Sequence, residues 1–169
     1  MVHDTAMSQY IPPTLFHCVT GTWSYAAGQV ANTVVKKVND ANQTSVINIP
    51  VVVPSNSVNL KGSYLKSIEI DFEITGASLT ALTAVVNKVT RGADGAVAVV
   101  AAPTFTYDTG HDTAGERVDV GQHKMTLTLA TPVWIDNDEY FLVELTCDQA
   151  GDTGVIELLG AVANYTLRL

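Results

Sequence analysis

The clearest pattern along the chain has period two. Between Lys66 and Thr75, Ile68, Ile70, Phe72 and Ile74 alternate with Glu69, Asp71 and Glu73. Successive strand side chains point to opposite faces, so this run puts four apolar groups on one face and three carboxylates on the other. One buried and one wet face belong to an antiparallel sheet, because strands of buried parallel sheets read as unbroken apolar runs. The alternation recurs in Met125, Leu127 and Leu129, in Phe141, Val143, Leu145 and Cys147, and in Ala163, Tyr165, Leu167 and Leu169. Weaker strand-like runs cover Thr33–Val38, Val46–Val53, Ala81–Thr90 and Ala96–Ala101, and all are rich in the residues that pleated, half-buried surfaces prefer.

Turn residues punctuate these runs: Asn39-Asp40, Pro54-Ser55-Asn56, Gly76-Ala77, Arg91-Gly92-Ala93-Asp94-Gly95, Asp136-Asn137-Asp138 and Asp152-Thr153-Gly154. The turn at Ala93-Asp94-Gly95 predicts a hairpin between Ala81–Thr90 and Ala96–Ala101. The stretch Tyr107–Gly121 reads as the longest loop. A short helix could start at Ser78, but its threonines and valines argue against one. No helical periodicity is sustained anywhere, and no repeat of fixed period is visible. The pattern therefore predicts an all-β protein: a single antiparallel β-sandwich over residues 21–169, of jelly-roll or related Greek-key type.

Residues 1–20 read as an extended N-terminal arm. Pro12-Pro13 blocks a helix and favours extended backbone on either side. A solvated tail would not favour Tyr10, Ile11, Leu15 and Phe16, so the arm packs either on its own domain or on a neighbouring chain. Tyr10, Ile11, Pro12, Pro13, Leu15 and Phe16 are thus the candidate partner-contact residues.

Composition narrows the classes of function. The 169 residues are 47% apolar and 15% charged, against about 25% charged in an ordinary domain. A chain of this length buries roughly 68–70% of its unfolded surface. High hydrophobicity with modest charge excludes intrinsic disorder, and no apolar run of about 20 residues predicts a membrane span. The net charge is −8 but uneven: residues 1–93 hold six basic side chains against five acidic, and residues 94–169 hold three against twelve. An acidic chain with no basic cluster beyond Lys36-Lys37 is not expected to bind nucleic acid.

Motifs for catalysis are lacking. There is no G-x-S-x-G elbow and no phosphate-binding glycine loop, and neither cysteine lies in an electropositive stretch. Glu69, Asp71 and Glu73 share a wet face, where carboxylates solvate rather than act as an acid–base pair. The chain is thus expected to be non-enzymatic and to use no cofactor. Cys18 and Cys147 are too few for a disulfide framework; one bridge is open, and two buried free thiols are the commoner outcome. The N-terminal residues predict no secretory signal, so the sequons at Asn42 and Asn164 read as chance matches. Asp108, His111, Asp112 and Glu116 in the long loop, and Asp136, Asn137, Asp138 and Glu139 in a turn, offer oxygen and imidazole ligands for a cation such as Ca²⁺. Neither group has EF-hand spacing, and both read better as polar turns that cap their own backbone. His3, His17 and His123 are isolated. Trp23 and Trp134 could stack on sugars, but the apolar neighbours of Trp134 point to a core or subunit-interface role.

Four segments carry a family resemblance: Tyr64–Phe72, Arg91–Gly95, Met125–Asp136 and Gly160–Leu169. Together they resemble the small β-sandwich structural proteins of tailed phages, especially head decoration (cement) proteins. The resemblance covers about residues 60–169 and includes no catalytic or binding motif. It implies a jelly-roll homotrimer seated on the outer capsid surface, with the major capsid protein as partner, made in the host cytoplasm and carried on the virion. In that setting the near-neutral N-terminal half would face the coat and the acidic half would face water. The alternative is a head- or tail-fibre or receptor-binding module that recognises carbohydrate.

Overall fold

The computed structural model describes residues 4–27, 31–37, 43–55, 62–149 and 153–168. Among them the strands are β1 (Asp4–Ile11), β2 (His17–Thr20), β3 (Trp23–Ala27), β4 (Ala31–Lys37), β5 (Thr44–Val51), β6 (Ser63–Thr75), β7 (Ala81–Thr90), β8 (Val99–Ala101), β9 (Phe105–Tyr107), β10 (Gly121–Ile135), β11 (Glu139–Asp148) and β12 (Val155–Arg168). They form two antiparallel sheets. A larger sheet runs β3-β4-β12-β6-β10-β9, with β1 also paired to β12, and a five-stranded sheet runs β2-β5-β11-β7-β8.

This order resolves the sandwich as a jelly roll. Strands β4, β12, β6 and β10 lie side by side, and β5, β11, β7 and β8 lie side by side in the other sheet. Consecutive strands from β4 to β7 therefore cross from sheet to sheet, as the two interleaved Greek keys of a jelly roll require. Strands β1, β2, β3 and β9 are additions at the margins.

The apolar half of each alternating run forms the filling. Ile68, Ile70, Phe72 and Ile74 of β6 are fully buried, as are Met125 and Leu127 of β10 and Ile156 and Leu158 of β12. They face Ile47 and Ile49 of β5 and Phe141, Val143 and Leu145 of β11, which are equally buried. Burying side chains of this size contributes about 1.5–3 kcal/mol each, which makes this layer the main source of stability.

Several boundaries differ from the sequence pattern. The expected Val46–Val53 strand spans Thr44–Val51, and the hairpin after β7 is shorter than expected, with Val99–Ala101 paired to Lys88–Thr90. Its turn is as expected from Asp94 and Gly95, which adopt left-handed φ values of 52° and 80°. No helix forms at Ser78. The Asn39-Asp40 turn and residues Asn56 and Asp152 lie outside the described residues.

The expected arm is extended, but it is built into its own sandwich. Strand β1 pairs with β12 from Asp4↔Arg168 to Ile11↔Ala161. Pro12 is extended and Pro13–Leu15 make one 3-10 turn. The chain then enters the other sheet as β2, paired to β5. Pro12-Pro13 thus works as the corner between the sheets.

The charge asymmetry also lies elsewhere than expected. The two halves do not form opposite sides of the molecule, because β6 from the first half shares a sheet with β10 and β12 from the second. Glu69, Asp71, Glu73, Lys124 and Glu157 crowd the outer face of the larger sheet, where Lys124 pairs with Asp71 and Glu157 with Glu73 in register. The outer face of the five-stranded sheet carries Asn48, Pro50, Val85, Asn87, Leu142 and one carboxylate in the middle, Glu144.

Candidate functional site

The two groups of acidic loop residues do not converge on a cation position. Asp108 accepts the backbone N–H of Thr126 and of Gly110 and contacts His111 Nδ1 at 2.8 Å. Glu116 accepts the Thr113 N–H at 3.0 Å, and Asp112 is exposed. In the other turn, Glu139 accepts the Asp136 N–H at 2.8 Å and pairs with Lys88 at 2.7 Å. Asp136 accepts the N–H of Asn137, its neighbour. Among the described residues no group of three or more His, Cys, Asp or Glu is placed to hold a metal ion. These carboxylates cap turns, as short polar side chains in loops do.

The long loop is nevertheless tightly built. Burial opposes ionisation of Asp108, but hydrogen bonds from the Thr126 amide, His111 and the Gly110 amide hold its carboxyl below the ordinary value. His111 Nε2 meets His123 Nδ1 at 3.2 Å, and His123 stacks on Phe72 with ring centres 4.7 Å apart. His123, expected to be isolated, therefore belongs to an Asp108–His111–His123 chain. Arg117 is buried, donates to the carbonyls of Leu82, His111 and Asp112, and lies 4.3 Å over the Tyr107 ring.

The six candidate contact residues separate into two sets. Ile11, Pro13 and Phe16 are buried in this chain's own sandwich, and Pro12 is half-buried. Tyr10 and Leu15 are exposed. Cys18 and Cys147 are not joined in a disulfide, with Cys147 buried in the core and Cys18 exposed on β2. The expectation of two buried thiols fails at Cys18 because β2 is a sheet edge. Trp23 packs on the margin of the core and donates to the Thr20 carbonyl.

Trp134 stands out from the apolar neighbours that suggested a core role. It is half-buried on the outer face of β10, because it falls out of phase with the buried Met125, Leu127, Leu129 and Ile135. Opposite it in register lies Tyr64 of β6, opposite Tyr64 lies Thr166 of β12, and opposite Thr166 lies Ala6 of β1. This row crosses four strands. The two aromatic rings meet edge to face, with centroids 4.9 Å apart. Over the Tyr64–Thr166–Ala6 part of the row is an open groove of about 440 Å³ lined by Asp4, Ala6, Tyr64, Lys66, Pro132 and Thr166, with Trp134 outside the lining. At its end Arg168 approaches Asp4 at 3.4 Å and lies 6.0 Å from the Tyr64 ring centre. Thr166 is 7% exposed, and its hydroxyl has no hydrogen-bond partner among the described residues. A buried hydroxyl without a partner carries a desolvation cost that a ligand could relieve.

Sequence reasoning singled out Trp134 but not Tyr64, Lys66 or Thr166. No spacing rule links them, because each belongs to a different strand or flanks a bulge.

No protein-family model matches the chain, and no curated protein matches it. Solved structures of similar outline include a family two carbohydrate esterase from Cellvibrio japonicus, at 7% identity and a TM-score of 0.42, over 99% of this chain and 36% of that one. This chain thus spans about a third of that protein. A carbohydrate-binding module of family 29 is similar at 11% identity and a TM-score of 0.41, over 95% and 89% of the two chains. A variant of that module complexed with mannohexaose is similar at 12% identity and a TM-score of 0.40, over 95% and 92%. At this distance the likeness assigns neither ligand nor activity.

Proposed function

We propose that the protein is a non-catalytic recognition module that holds a carbohydrate in the groove over Tyr64, whose ring Trp134 supports edge to face. The observation that carries this reading is the row Trp134–Tyr64–Thr166–Ala6 with its unpartnered Thr166 hydroxyl. A sugar ring presents apolar C–H faces and a rim of hydroxyls. It suits a site with an aromatic floor and a few polar groups at the edge. Asp4 offers acceptors, Lys66 offers donors, and Arg168 offers a planar fork of donors. The groove lining holds one carboxylate, Asp4, and not the carboxylate pair that glycoside hydrolysis uses, which favours binding over hydrolysis.

Calorimetric titration with gluco- and manno-oligosaccharides tests the proposal. Millimolar to micromolar binding that is lost in Tyr64→Ala and weakened in Lys66→Ala supports it. Wild-type protein that takes up none of these ligands, on a glycan array as well as in the calorimeter, overturns it.

A second reading is the capsid decoration protein that the sequence resembles. It is supported by the uncharged, exposed stretch Ala96–Ala102 beside the nearly neutral outer face of the five-stranded sheet. In this reading that sheet meets the coat, and the charged larger sheet faces water. Addition of the purified protein to preformed capsids, followed by reconstruction of the particle, tests it.

A further inference from the structure

We propose that the outer corner of the five-stranded sheet is where two copies of this chain meet, with β8 of one pairing to β8 of the other. The inference is independent of the carbohydrate reading, whose groove lies on the other sheet.

Three observations converge there. First, an apolar row runs across the sheet: Tyr140 of β11 opposes Val89 of β7, and Val89 opposes Val100 of β8. Val52 follows the end of β5 beside it. Exposure is 51% for Tyr140, 59% for Val100 and 57% for Val52. Second, the row continues into Ala96-Val97-Ala98-Val99-Val100-Ala101-Ala102, in which every residue is exposed and none is polar; Val97 is 91% exposed and Val99 66%. Folded monomers seldom leave contiguous apolar patches of more than a few hundred Å² in water. Third, β8 is the margin of its sheet, and among the described residues no strand pairs with its outward backbone groups. Sheet margins are ordinarily blunted by lysine, proline or an inward charge. Val99–Ala101 has none of these.

The charge distribution selects the occupant. Each copy carries −8, and charged side chains crowd the outer face of the larger sheet, so two copies approach with least repulsion through Ala96–Ala102, a segment that holds no charge. The segment is also its own complement. A two-fold axis at Val100 sets Val100 opposite Val100 of the other copy, Val99 opposite Ala101 and Ala98 opposite Ala102, so every pair is apolar on apolar. Antiparallel pairing of this kind satisfies both margins at once and closes the assembly as an isologous dimer. It also carries the Tyr140–Val89–Val100 row across the axis into the partner.

Light scattering and sedimentation of the full chain at tens of micromolar test this. The expected mass is twice the 18.0 kDa of the chain. Val100→Asp and Val100→Lys, each placing like charges across the axis, should weaken association about tenfold or more while leaving circular dichroism and melting unchanged. Mixing the two variants should restore the dimer, since unlike charges then face each other. A monomeric wild type overturns the proposal, as does a dimer that persists in both variants. Variants that stay monomeric when mixed overturn the β8-on-β8 geometry. Should Val100 variants fold poorly, Val97→Asp gives the same reading from a site exposed on every side.

Discussion

Tyr10 lies across the backbone of Gly160. A Cβ on Gly160 would stand 2.6 Å from the tyrosine ring, and Tyr10 donates its hydroxyl hydrogen to the Leu159 carbonyl at 3.0 Å. Gly160 has φ of 151° and sits where the β12–β6 register shifts between Leu158 and Gly160. The bulge, the missing side chain and the ring are one device that fastens β1 to β12. Gly160→Ala should therefore lower stability by about 2–4 kcal/mol through strain and crowding together. Tyr10→Ala in the same background should recover part of that loss by removing the ring. Urea unfolding of the single and double variants reads the coupling.

Acid should loosen the molecule at identifiable carboxylates. Asp108 is held below its ordinary value of 3.8, with burial opposing and the Thr126 amide, His111 and the Gly110 amide outweighing it. Glu69 is held below 4.5 chiefly by its hydrogen bond from Lys124, against burial and with help from Asn164. A carboxyl depressed in the folded state stabilises above its unfolded value and loses that contribution as pH falls through the folded one. Stability should therefore be level near neutrality and fall below about pH 4. Asp108→Asn should be less stable at pH 7 and show a shallower acid limb, read from melting temperatures between pH 7 and 2.

Arg117 should prove irreplaceable by lysine. Its guanidinium donates from Nε to Leu82 O and from one terminal nitrogen to His111 O and Asp112 O, under cover of the Tyr107 ring. An ammonium cannot reproduce that fork. Arg117→Lys and Arg117→Ala should each cost about 2–4 kcal/mol, and hydrogen exchange should rise across residues 107–121 before it rises in β6.

Thiol chemistry should separate the two cysteines. Cys18 is exposed on β2, though partial burial pushes its thiol above the ordinary value of 9.0, while Cys147 is buried in the core. A disulfide reagent should label one equivalent per native chain, slowly at pH 7 and faster at pH 9, and a second after denaturation. Two equivalents in the native state would contradict the placement of Cys147.

The parts of the fold that alternate strictly were legible. β6, β11 and the middle of β10 each have one face fully buried, and burial is what writes the period into a sequence. β1 was not legible as a strand of the sandwich, because its residues from Asp4 to Tyr10 are all exposed and no alternation is imposed on them. Its pairing is specified by β12 instead. Ile11 and Phe16 were rightly read as residues that something must bury, but the sequence could not say whose core received them. Tyr64, Thr166 and Trp134 were hidden for another reason. Two register shifts, at Thr128/Val133 and Asn164/Tyr165, decide which side chains reach the outer face together, and a bulge has no strong sequence mark. The charge contrast showed in the chain as two halves and does not survive as two sides of the structure, since jelly-roll winding interleaves the halves.

The corner at Pro12-Pro13 has a consequence for the order in which the molecule can be made. β1 finds its partner in β12, with Asp4 opposite Arg168, and β12 also separates β4 from β6. A chain growing from the ribosome therefore carries β1 without its partner, and β4 paired only to β3, until β12 has emerged. The larger sheet cannot close during synthesis, however early its first strands appear. Folding should wait for release of β12 and then proceed slowly, as topologies dominated by distant pairings do.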